Sequence, residues 1–365
     1  MIQKNREYIS KLVFNLSKLH SGFTGLNPSV GCVVTSNKKI ISYGVTGING
    51  SPHAENHALK KIKKLKIKKN LYLSLEPCHH TGKNPPCTKI IKKSNIKNLF
   101  YYSKDLNPLV NQKGLNFLEQ NKINVKYLKN KNFDSIIEVH NQYYKLKKPI
   151  VSGKIAVTKK NFTKNIDHKY ITNTYSRKFA HILRANHQAL LVGVNTINDD
   201  NPFLNCRIRG LESLSPALFI IDPKLRIKTN SNVLRSSVKV FVIYSKKNKN
   251  KINYLKTKKV TLINLSTIKK NFFDIKTIIK LISYLGYKNI LVEGGNKLLN
   301  IFFNNCLFNN FYFFKSNESK YKKNLLKFNY NKFISLKKIN KFINLSGDTL
   351  LIFKKKNNHV FWNYN

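Results

Sequence analysis

The most informative stretch of the sequence reads Leu75-Glu76-Pro77-Cys78-His79-His80-Thr81-Gly82-Lys83-Asn84-Pro85-Pro86-Cys87, and it follows His53-Ala54-Glu55. The imidazole of His53 and the thiolates of Cys78 and Cys87 supply three protein ligands for Zn²⁺. The fourth tetrahedral position is left to water, which is the arrangement of a catalytic zinc. Because zinc lowers the pKa of its bound water, Glu55 is placed to shuttle the proton. The pattern predicts a zinc-dependent hydrolytic site.

Local sequence around the ligands favours this interpretation. Both cysteines follow prolines, and Cys87 lies where a helix can begin, so the helix N-terminus favours the thiolate that zinc needs. A second helix is predicted from Ala54, with Ser51 as its cap and Pro52 in its first turn.

The order of the ligands is close to the signature of zinc nucleobase deaminases, H-x-E with P-C-x-x-C. The spacing differs, because eight residues separate Cys78 from Cys87 where that signature has two. Two other interpretations remain open. A structural zinc would need His57, His79 or His80 as its fourth ligand, and two buried thiols beside a chance His-x-Glu would bind no metal.

Apolar residues alternate between helical and strand spacing along the whole chain, which predicts an α/β layer fold. In the first half we expect helices over residues 7–19, 54–67, 86–93 and 114–120, with strands over 30–35, 39–43, 71–75, 99–102 and 125–128. In the second half we expect strands over 150–157, 189–192, 217–221, 238–242, 260–263 and 289–292, helices over 174–185, 275–285 and 297–303, and short strands within 333–353. A basic segment ending at Pro149 separates the halves, so the predicted domains are residues 1–146 and 147–365.

The composition is very basic, with 67 Lys and Arg against 16 Asp and Glu in 365 residues, a formal charge of +51. Such charge suits a nucleic-acid surface. However, lysine is spread along the chain among asparagine and isoleucine, so we favour a general compositional drift and expect no specific nucleic-acid partner. With 41% hydrophobic residues the chain can build cores. It has no signal peptide, no membrane-length apolar run and five cysteines, which predicts a cytoplasmic protein with reduced thiols.

Three segments of the first half, residues 27–32, 53–55 and 75–87, resemble the deaminase half of the bifunctional riboflavin-biosynthesis deaminase/reductase family. Asp105-Leu106-Asn107-Pro108 is similar to that family's D-P-N-P, with Leu106 in place of proline. The resemblance implies a cytidine-deaminase-like α/β/α domain that hydrolyses off the 2-amino group of 2,5-diamino-6-(5-phosphoribosylamino)pyrimidin-4-one. It also implies that Asn27 helps hold the pyrimidine; from sequence alone, a turn residue before Pro28 is an equal alternative.

The second half resembles the reductase half of the same family. Residues 193–207 are similar to its T-x-x-x-D-[DN]-P-x-L-x-x-R pattern, and a Gly-Gly turn follows Glu293 where a strand meets a helix, a geometry that suits phosphate. The implied fold is dihydrofolate-reductase-like, and the implied reaction is NADPH-dependent reduction of the ribosyl group to ribityl. The resemblance implies NADPH contacts from Ala156, Tyr170, Thr196, Asp200, Gly294, Gly295 and Asn296. It implies substrate contacts from His168, Arg184, Leu204, Arg207 and Glu293, with ordinary surface charge as the alternative for the two arginines.

The second half also departs from the family pattern. The Asp-Gly pair of K-x-a-x-S-x-D-G is Lys160-Asn161, His168 and Pro223 replace serines, and the late A-P-x-x-x-G segment is unrecognisable within residues 315–320. Because the Thr196, Asp200, Arg207 and Glu293-Gly294-Gly295 positions match, we expect an active reductase, a small-molecule substrate and a possible homo-oligomer. The alternatives are a deaminase with a degenerate second domain, and a nucleic-acid deaminase or RNA-binding protein.

Overall fold

A computed structural model of the chain describes residues 2–25, 27–82, 84–163, 170–246, 248–266, 273–317, 328 and 339–354. The chain divides into two compact units, Met1–Lys148 and Pro149–Asn365. The division lies two residues from the boundary that the sequence predicts. Among the described residues, no helix is both long enough and apolar enough to cross a membrane.

The first unit is built on a five-stranded sheet with the order β2-β1-β3-β4-β5. Its strands are β1 (Gly31–Ser36), β2 (Lys39–Val45), β3 (Lys69–Leu73), β4 (Ile96–Tyr101) and β5 (Asn124–Tyr127). Strand β1 pairs antiparallel with β2 and β3, whereas β3, β4 and β5 are parallel. The carboxyl ends of β3 and β4 therefore lie at one edge of the sheet.

Helices cover both faces of this sheet, as the predicted α/β layers require. They are α1 (Ile2–Leu19), α2 (Ala54–Lys61), α3 (Cys87–Lys92), α4 (Lys113–Gln120), α5 (Lys131–Asp134) and α6 (Glu138–Leu146). Val13 of α1 packs on one face and Ala58 of α2 on the other, and both are fully buried. Gly44 lets α2 lie directly on β2, because a Cβ there would meet the Ala54 carbonyl and lie 2.7 Å from Ala58 N.

The prediction of a helix over residues 54–67 is wrong at its C-terminal end, since α2 stops at Lys61. Beyond the end of α2, main-chain carbonyls bond instead to Lys69, whose side chain is buried. Its ammonium group donates to the carbonyl oxygens of Leu65, Ile67 and Ser94. These carbonyls are therefore satisfied by a lysine from the next strand, which apolar periodicity cannot reveal.

The second unit is built on a nine-stranded sheet with the order β10-β9-β8-β7-β11-β6-β12-β14-β13. Its strands are β6 (Ile150–Val157), β7 (Ala189–Gly193), β8 (Ala217–Ile221), β9 (Val240–Tyr244), β10 (Thr261–Asn264), β11 (Asn289–Glu293), β12 (Asn310–Lys315), β13 (Ile339–Leu345) and β14 (Asp348–Lys354). All neighbours from β10 to β12 are parallel, and β14 pairs antiparallel with β12 and β13. The carboxyl ends of β6, β7, β8 and β11 meet at one edge.

In the described part of the second unit, five α-helices pack on the two faces of the sheet: α7 (Thr174–Ala185), α8 (Val194–Asp200), α9 (Lys249–Thr257), α10 (Ile275–Tyr284) and α11 (Asn296–Asn304). Leu183 and Ile197 belong to the core of one face, and Ile278 and Phe302 to the core of the other. Helices α8 and α9 and strand β12 were not predicted. Strand β12 is paired on both sides and carries consecutive aromatic residues, so it lacks the alternation of a half-exposed strand.

Candidate active sites

In the first unit, His53, Cys78 and Cys87 form one cluster, with their ligand atoms all within 4.8 Å of one another. His53 is the residue that precedes α2, and Cys87 is the first residue of α3. The Nδ1 atom of His53 lies 3.2 Å from Cys87 Sγ and 3.5 Å from Cys78 Sγ. Three donors far apart in sequence thus converge because two helices begin at the same point.

The donor spacing fits a tetrahedral zinc ion. Zinc–sulfur and zinc–nitrogen bonds at a tetrahedral angle place N and S about 3.6 Å apart, close to the observed separations. A hydrogen bond with Cys87 lowers the pKa of the Cys78 thiol to about 4, against the opposing effect of burial. The same hydrogen bond and burial raise the pKa of Cys87. Without a metal, only Cys78 ionises readily. A bound cation would neutralise a second thiolate at Cys87, so the two thiols suit a metal site.

Glu55 lies in the first turn of α2, and its side chain is only 4% exposed. Burial raises the pKa of this carboxyl, and the neighbouring Cys78 raises it further. A buried carboxyl beside three metal ligands is the group that can carry a proton in hydrolysis.

The segment before His53 differs from the prediction. Neither Ser51 nor Pro52 belongs to α2: His53 itself is the N-cap position, and the Ser51 hydroxyl donates instead to Asn84 Oδ1, at 2.8 Å. The side-chain amides of Asn27 and Asn84 both donate to the Gly50 carbonyl, at 3.1 and 3.3 Å. Asn27 therefore lies beside the loop that leads to His53, and Asn84, which the motif analysis did not single out, ties that loop to the segment before Cys87.

In the second unit, the predicted substrate residues Arg184 and Glu293 bind each other. Arg184 Nε and Nη2 donate to the two carboxylate oxygens of Glu293, at 2.8 and 2.9 Å. Lys154 Nζ lies 3.8 Å from Glu293 Oε2, and its side chain is only 18% exposed. Arg184 also donates to the Asn205 carbonyl. The guanidinium fork of Arg184 is therefore occupied by Glu293 and does not point freely at a phosphate.

Lys154 is the functional candidate that sequence reasoning missed. Burial lowers its pKa although Glu293 opposes the shift. Burial alone would raise the pKa of Glu293, but Arg184 and then Lys154 lower it to about 2. The signal in the sequence was the first lysine of the K-x-a-x-S pattern, but only the fold places it against Glu293.

The predicted cofactor residues Thr196 and Gly295 meet where β7 and β11 end. The Gly295 N–H donates to the Thr196 hydroxyl at 3.3 Å, and Asn296 begins α11 directly after it. Asp200 lies four residues after Thr196 on α8, hence on the same helix face. Ala156 is half-buried in β6. Tyr170 is 51% exposed and carries the guanidinium of Arg177 over its ring.

Arg207 and Leu204 lie in the loop after α8, with different exposures. The side chain of Leu204 is 4% exposed and packs in the core, and its backbone has φ +55°. Because the side chain is buried, a ligand could contact only the main chain of Leu204. Arg207 is exposed, and its Nη2 lies 3.4 Å from His181 Nε2. The other ring nitrogen of His181 lies 3.1 Å from the Asn205 carbonyl oxygen.

Asn161 replaces the glycine of the family pattern but keeps the left-handed backbone conformation that glycine would allow. Asn161, in place of glycine, has φ +68° and donates its N–H to the Thr158 carbonyl. Asparagine tolerates this left-handed conformation better than most residues. The predicted substrate residue His168 lies outside the described residues, as do residues 318–320 of the 315–320 segment.

The second unit should lose stability in acid in two steps. Burial, then Arg184 and Arg207, lower the pKa of His181 from 6.5 to about 4. The unfolded chain therefore takes up this proton first, and stability falls as the pH drops from about 6.5 to 4. The depressed pKa of Glu293 removes more stability between its ordinary value of 4.5 and about 2.

Calorimetry between pH 7 and pH 4 checks the first step, with the second-unit transition identified by its shift on adding NADPH. His181→Asn should make the transition temperature depend less steeply on pH above pH 4.5, and part of the slope should remain because burial also lowers the pKa of His187. An equally steep dependence in that variant would contradict the assignment to His181.

Comparisons with known proteins agree with both units. Residues 3–103 match the family model for the cytidine and deoxycytidylate deaminase zinc-binding region, and residues 153–315 match the RibD C-terminal domain. The chain is 35% identical to the riboflavin biosynthesis protein RibD of Aquifex aeolicus, over 83% of this chain and 84% of that protein. It is 42% identical to a diaminohydroxyphosphoribosylamino-pyrimidine deaminase of Buchnera aphidicola, over 34% of this chain and 83% of the relative.

The fold is also shared with solved structures. A diaminohydroxyphosphoribosylaminopyrimidine deaminase/5-amino-6-(5-phosphoribosylamino)uracil reductase from Thermotoga maritima is 25% identical. It superposes with a TM-score of 0.78 over 98% of this chain and 100% of that one. RibD of Acinetobacter baumannii has the same fold, with a TM-score of 0.81 at 23% identity over 96% of this chain and 99% of that one. The predicted fold class, a deaminase-like α/β unit followed by a reductase-type α/β unit, is confirmed.

Proposed function

The chain belongs to the RibD family of riboflavin-biosynthesis proteins. It is a bifunctional enzyme that combines a zinc-dependent deaminase with an NADPH-dependent reductase. On this premise we propose that residues 1–146 deaminate 2,5-diamino-6-(5-phosphoribosylamino)pyrimidin-4(3H)-one and that residues 147–365 reduce the ribosyl group of the product to ribityl. The observation that carries the proposal is the convergence of His53, Cys78 and Cys87 beside the buried carboxyl of Glu55.

In the deaminase site, His53 Nδ1 and the two cysteine sulfurs would hold Zn²⁺, which supplies a water of lowered pKa when bound. Glu55 accepts the proton of the attacking water on its carboxylate and passes it to the departing amino group, which leaves as ammonia. Asn27, whose side-chain amide donates to the Gly50 carbonyl of the loop that leads to His53, holds the pyrimidine.

In the reductase site, NADPH supplies the hydride when bound, and we assign its contacts to Ala156, Tyr170, Thr196, Asp200, Gly294, Gly295 and Asn296. The hydride goes to C1′ of the ribosyl group, the bond from C1′ to the ring oxygen breaks, and that oxygen needs a proton. We assign this proton to Lys154 Nζ, which lies 3.8 Å from Glu293 Oε2 and whose pKa is lowered by burial. Glu293 holds Lys154, and Arg184 holds Glu293.

Recognition of the substrate's phosphate is assigned to Arg207, since its guanidinium is exposed while that of Arg184 is bound to Glu293. A planar guanidinium bonds phosphate in pairs. The main chain at Leu204 and the side chain of His168 complete the proposed substrate contacts.

The test supplies the diaminopyrimidine substrate with and without NADPH and identifies the products. A reduced ribitylaminouracil with NADPH, and the unreduced ribosylaminouracil without it, support both activities. An unreduced end-point with NADPH present would show that the second site is inactive. We also propose that the substrate is a small molecule and that the protein binds no nucleic acid specifically. We further propose that the chain forms homo-oligomers in the cytoplasm.

Asp200→Ala should weaken NADPH binding about tenfold, because Asp200 shares a helix face with Thr196 at the Gly294-Gly295 turn. Titration calorimetry with NADPH measures the change. Asp199→Ala, which removes the neighbouring exposed carboxylate of the same helix, is the matched control. Equal affinity in the wild type and Asp200→Ala would remove Asp200 from the cofactor site.

A further inference from the structure

The loop after β4 is anchored beside the zinc ligands at both of its ends. Glu76, two residues before Cys78, donates its main-chain N–H to the Ser103 carbonyl and accepts the Gln112 N–H on Oε2, at 3.3 and 2.9 Å. The turn Asp105-Leu106-Asn107-Pro108 lies between these two anchors. It therefore stands at the edge of the sheet where β3 and β4 end, which is where ligands bind in such sheets.

The shape of this turn depends on Asp105. Its Oδ1 atom accepts the Asn107 N–H at 2.8 Å, and Asn107 Oδ1 in turn accepts the Leu109 N–H at 3.1 Å. The similar family segment has proline where this chain has Leu106. Proline fixes φ near −65° and so restricts the turn before any contact forms. Leucine does not, so the turn here needs another restraint.

Helix α6 contacts three consecutive residues: Lys104, which precedes the turn, and the first two residues of the turn. His140 Nε2 donates to Asp105 Oδ1 at 2.8 Å, and both side chains are buried. Asn141 Nδ2 donates to the Lys104 carbonyl at 3.3 Å, and Asn141 Oδ1 accepts the Leu106 N–H at 3.4 Å. A proline at position 106 has no N–H and could not make the last contact.

We propose that His140 and Asn141 are positioning residues of the deaminase site, which hold the Asp105–Pro108 turn in its substrate-binding shape in place of the missing proline. The proposal rests on the proposed deaminase function of the first unit. Through its bond to the Asp105 carboxylate, His140 acts on the shape of the turn. The chemistry at Glu55 should therefore be unaffected, whereas substrate binding should depend on the turn.

The test measures His140→Leu with and without Leu106→Pro, with Gln142→Leu on the same helix as the matched control. With one hydrogen bond to a buried carboxylate removed, we expect KM for the diaminopyrimidine to rise about tenfold and kcat to stay within about twofold. Adding Leu106→Pro should return KM to within about threefold of the wild type, because proline restrains the turn directly. Zinc content and reductase activity should not change.

An unchanged KM in His140→Leu would overturn the proposal, and so would a KM defect that Leu106→Pro does not rescue. A lower melting temperature with normal KM would show that the pair is merely structural and would also overturn it. If His140→Leu does not fold, Asn141→Ala decides, with an expected KM rise of about threefold; an unchanged KM there counts against the proposal.

Amide hydrogen exchange of residues 104–112 separates this proposal from the proposed function. Faster exchange in His140→Leu, reversed by Leu106→Pro, supports the restraint even if the wild-type protein deaminates nothing, in which case only the proposed function fails. Equal exchange in all variants overturns the restraint whatever the activity.

Discussion

Glu55→Gln should lower the deaminase kcat by about 10²–10⁴-fold while the protein keeps its zinc, since a positioned general acid–base group contributes about that factor. Glutamine fills the same buried space in the first turn of α2, but its amide cannot accept and return a proton. The three ligand atoms of His53, Cys78 and Cys87 belong to other side chains and stay in place. Ammonia release and zinc content per chain, measured on the same preparation, check both parts of the expectation.

Two controls make this result specific. Glu119→Gln changes an exposed glutamate of the same unit and should keep full deaminase activity. Reduction of the pre-formed ribosylaminouracil by the Glu55→Gln protein should continue at the wild-type rate. Full deaminase activity in Glu55→Gln would contradict the assignment of Glu55 as the general acid–base group. Loss of zinc would show that the substitution disturbed the metal ligands.

Glu293→Gln should abolish reduction and destabilise the second unit by about 3–5 kcal/mol, the cost of breaking a buried ion pair by removing one partner. The substitution leaves the Arg184 guanidinium without its bidentate carboxylate, in a site where both side chains are mostly buried. Lys154 also loses its neighbouring charge. Urea unfolding measures the lost free energy of unfolding. The transition of the second unit is recognised as the one that shifts when NADPH is added.

The double variant Arg184→Met, Glu293→Leu separates stability from activity. Apolar residues of similar volume restore part of the stability, because the buried guanidinium is removed together with its carboxylate, but Lys154 still loses its partner. We expect a free energy of unfolding between those of Glu293→Gln and the wild type, with no reductase activity. Reductase activity at the wild-type level in either variant would remove Glu293 from the site.

Sequence reasoning was most successful where chemistry is concentrated in a short segment. The spacing of His53, Cys78 and Cys87 predicted a metal cluster, and the structure brings these ligand atoms together. The strand over Ile150–Val157 was predicted with the bounds that the structure has, because most of its residues are apolar and buried. The cap of α2 was misjudged, because Ser51 had a competing partner in Asn84, 33 residues away.

The sequence by itself predicted the cluster of His53, Cys78 and Cys87, the α/β fold class and the family, because these depend on residue types at short spacing and on local periodicity. The tertiary structure alone decided that Arg184 binds Glu293, that Lys154 lies beside them, and that His140 reaches Asp105. These partners lie 109, 139 and 35 residues apart in the chain. Such contacts arise where strand ends and helix starts meet, and strand order is a property of the folded sheet rather than of any segment.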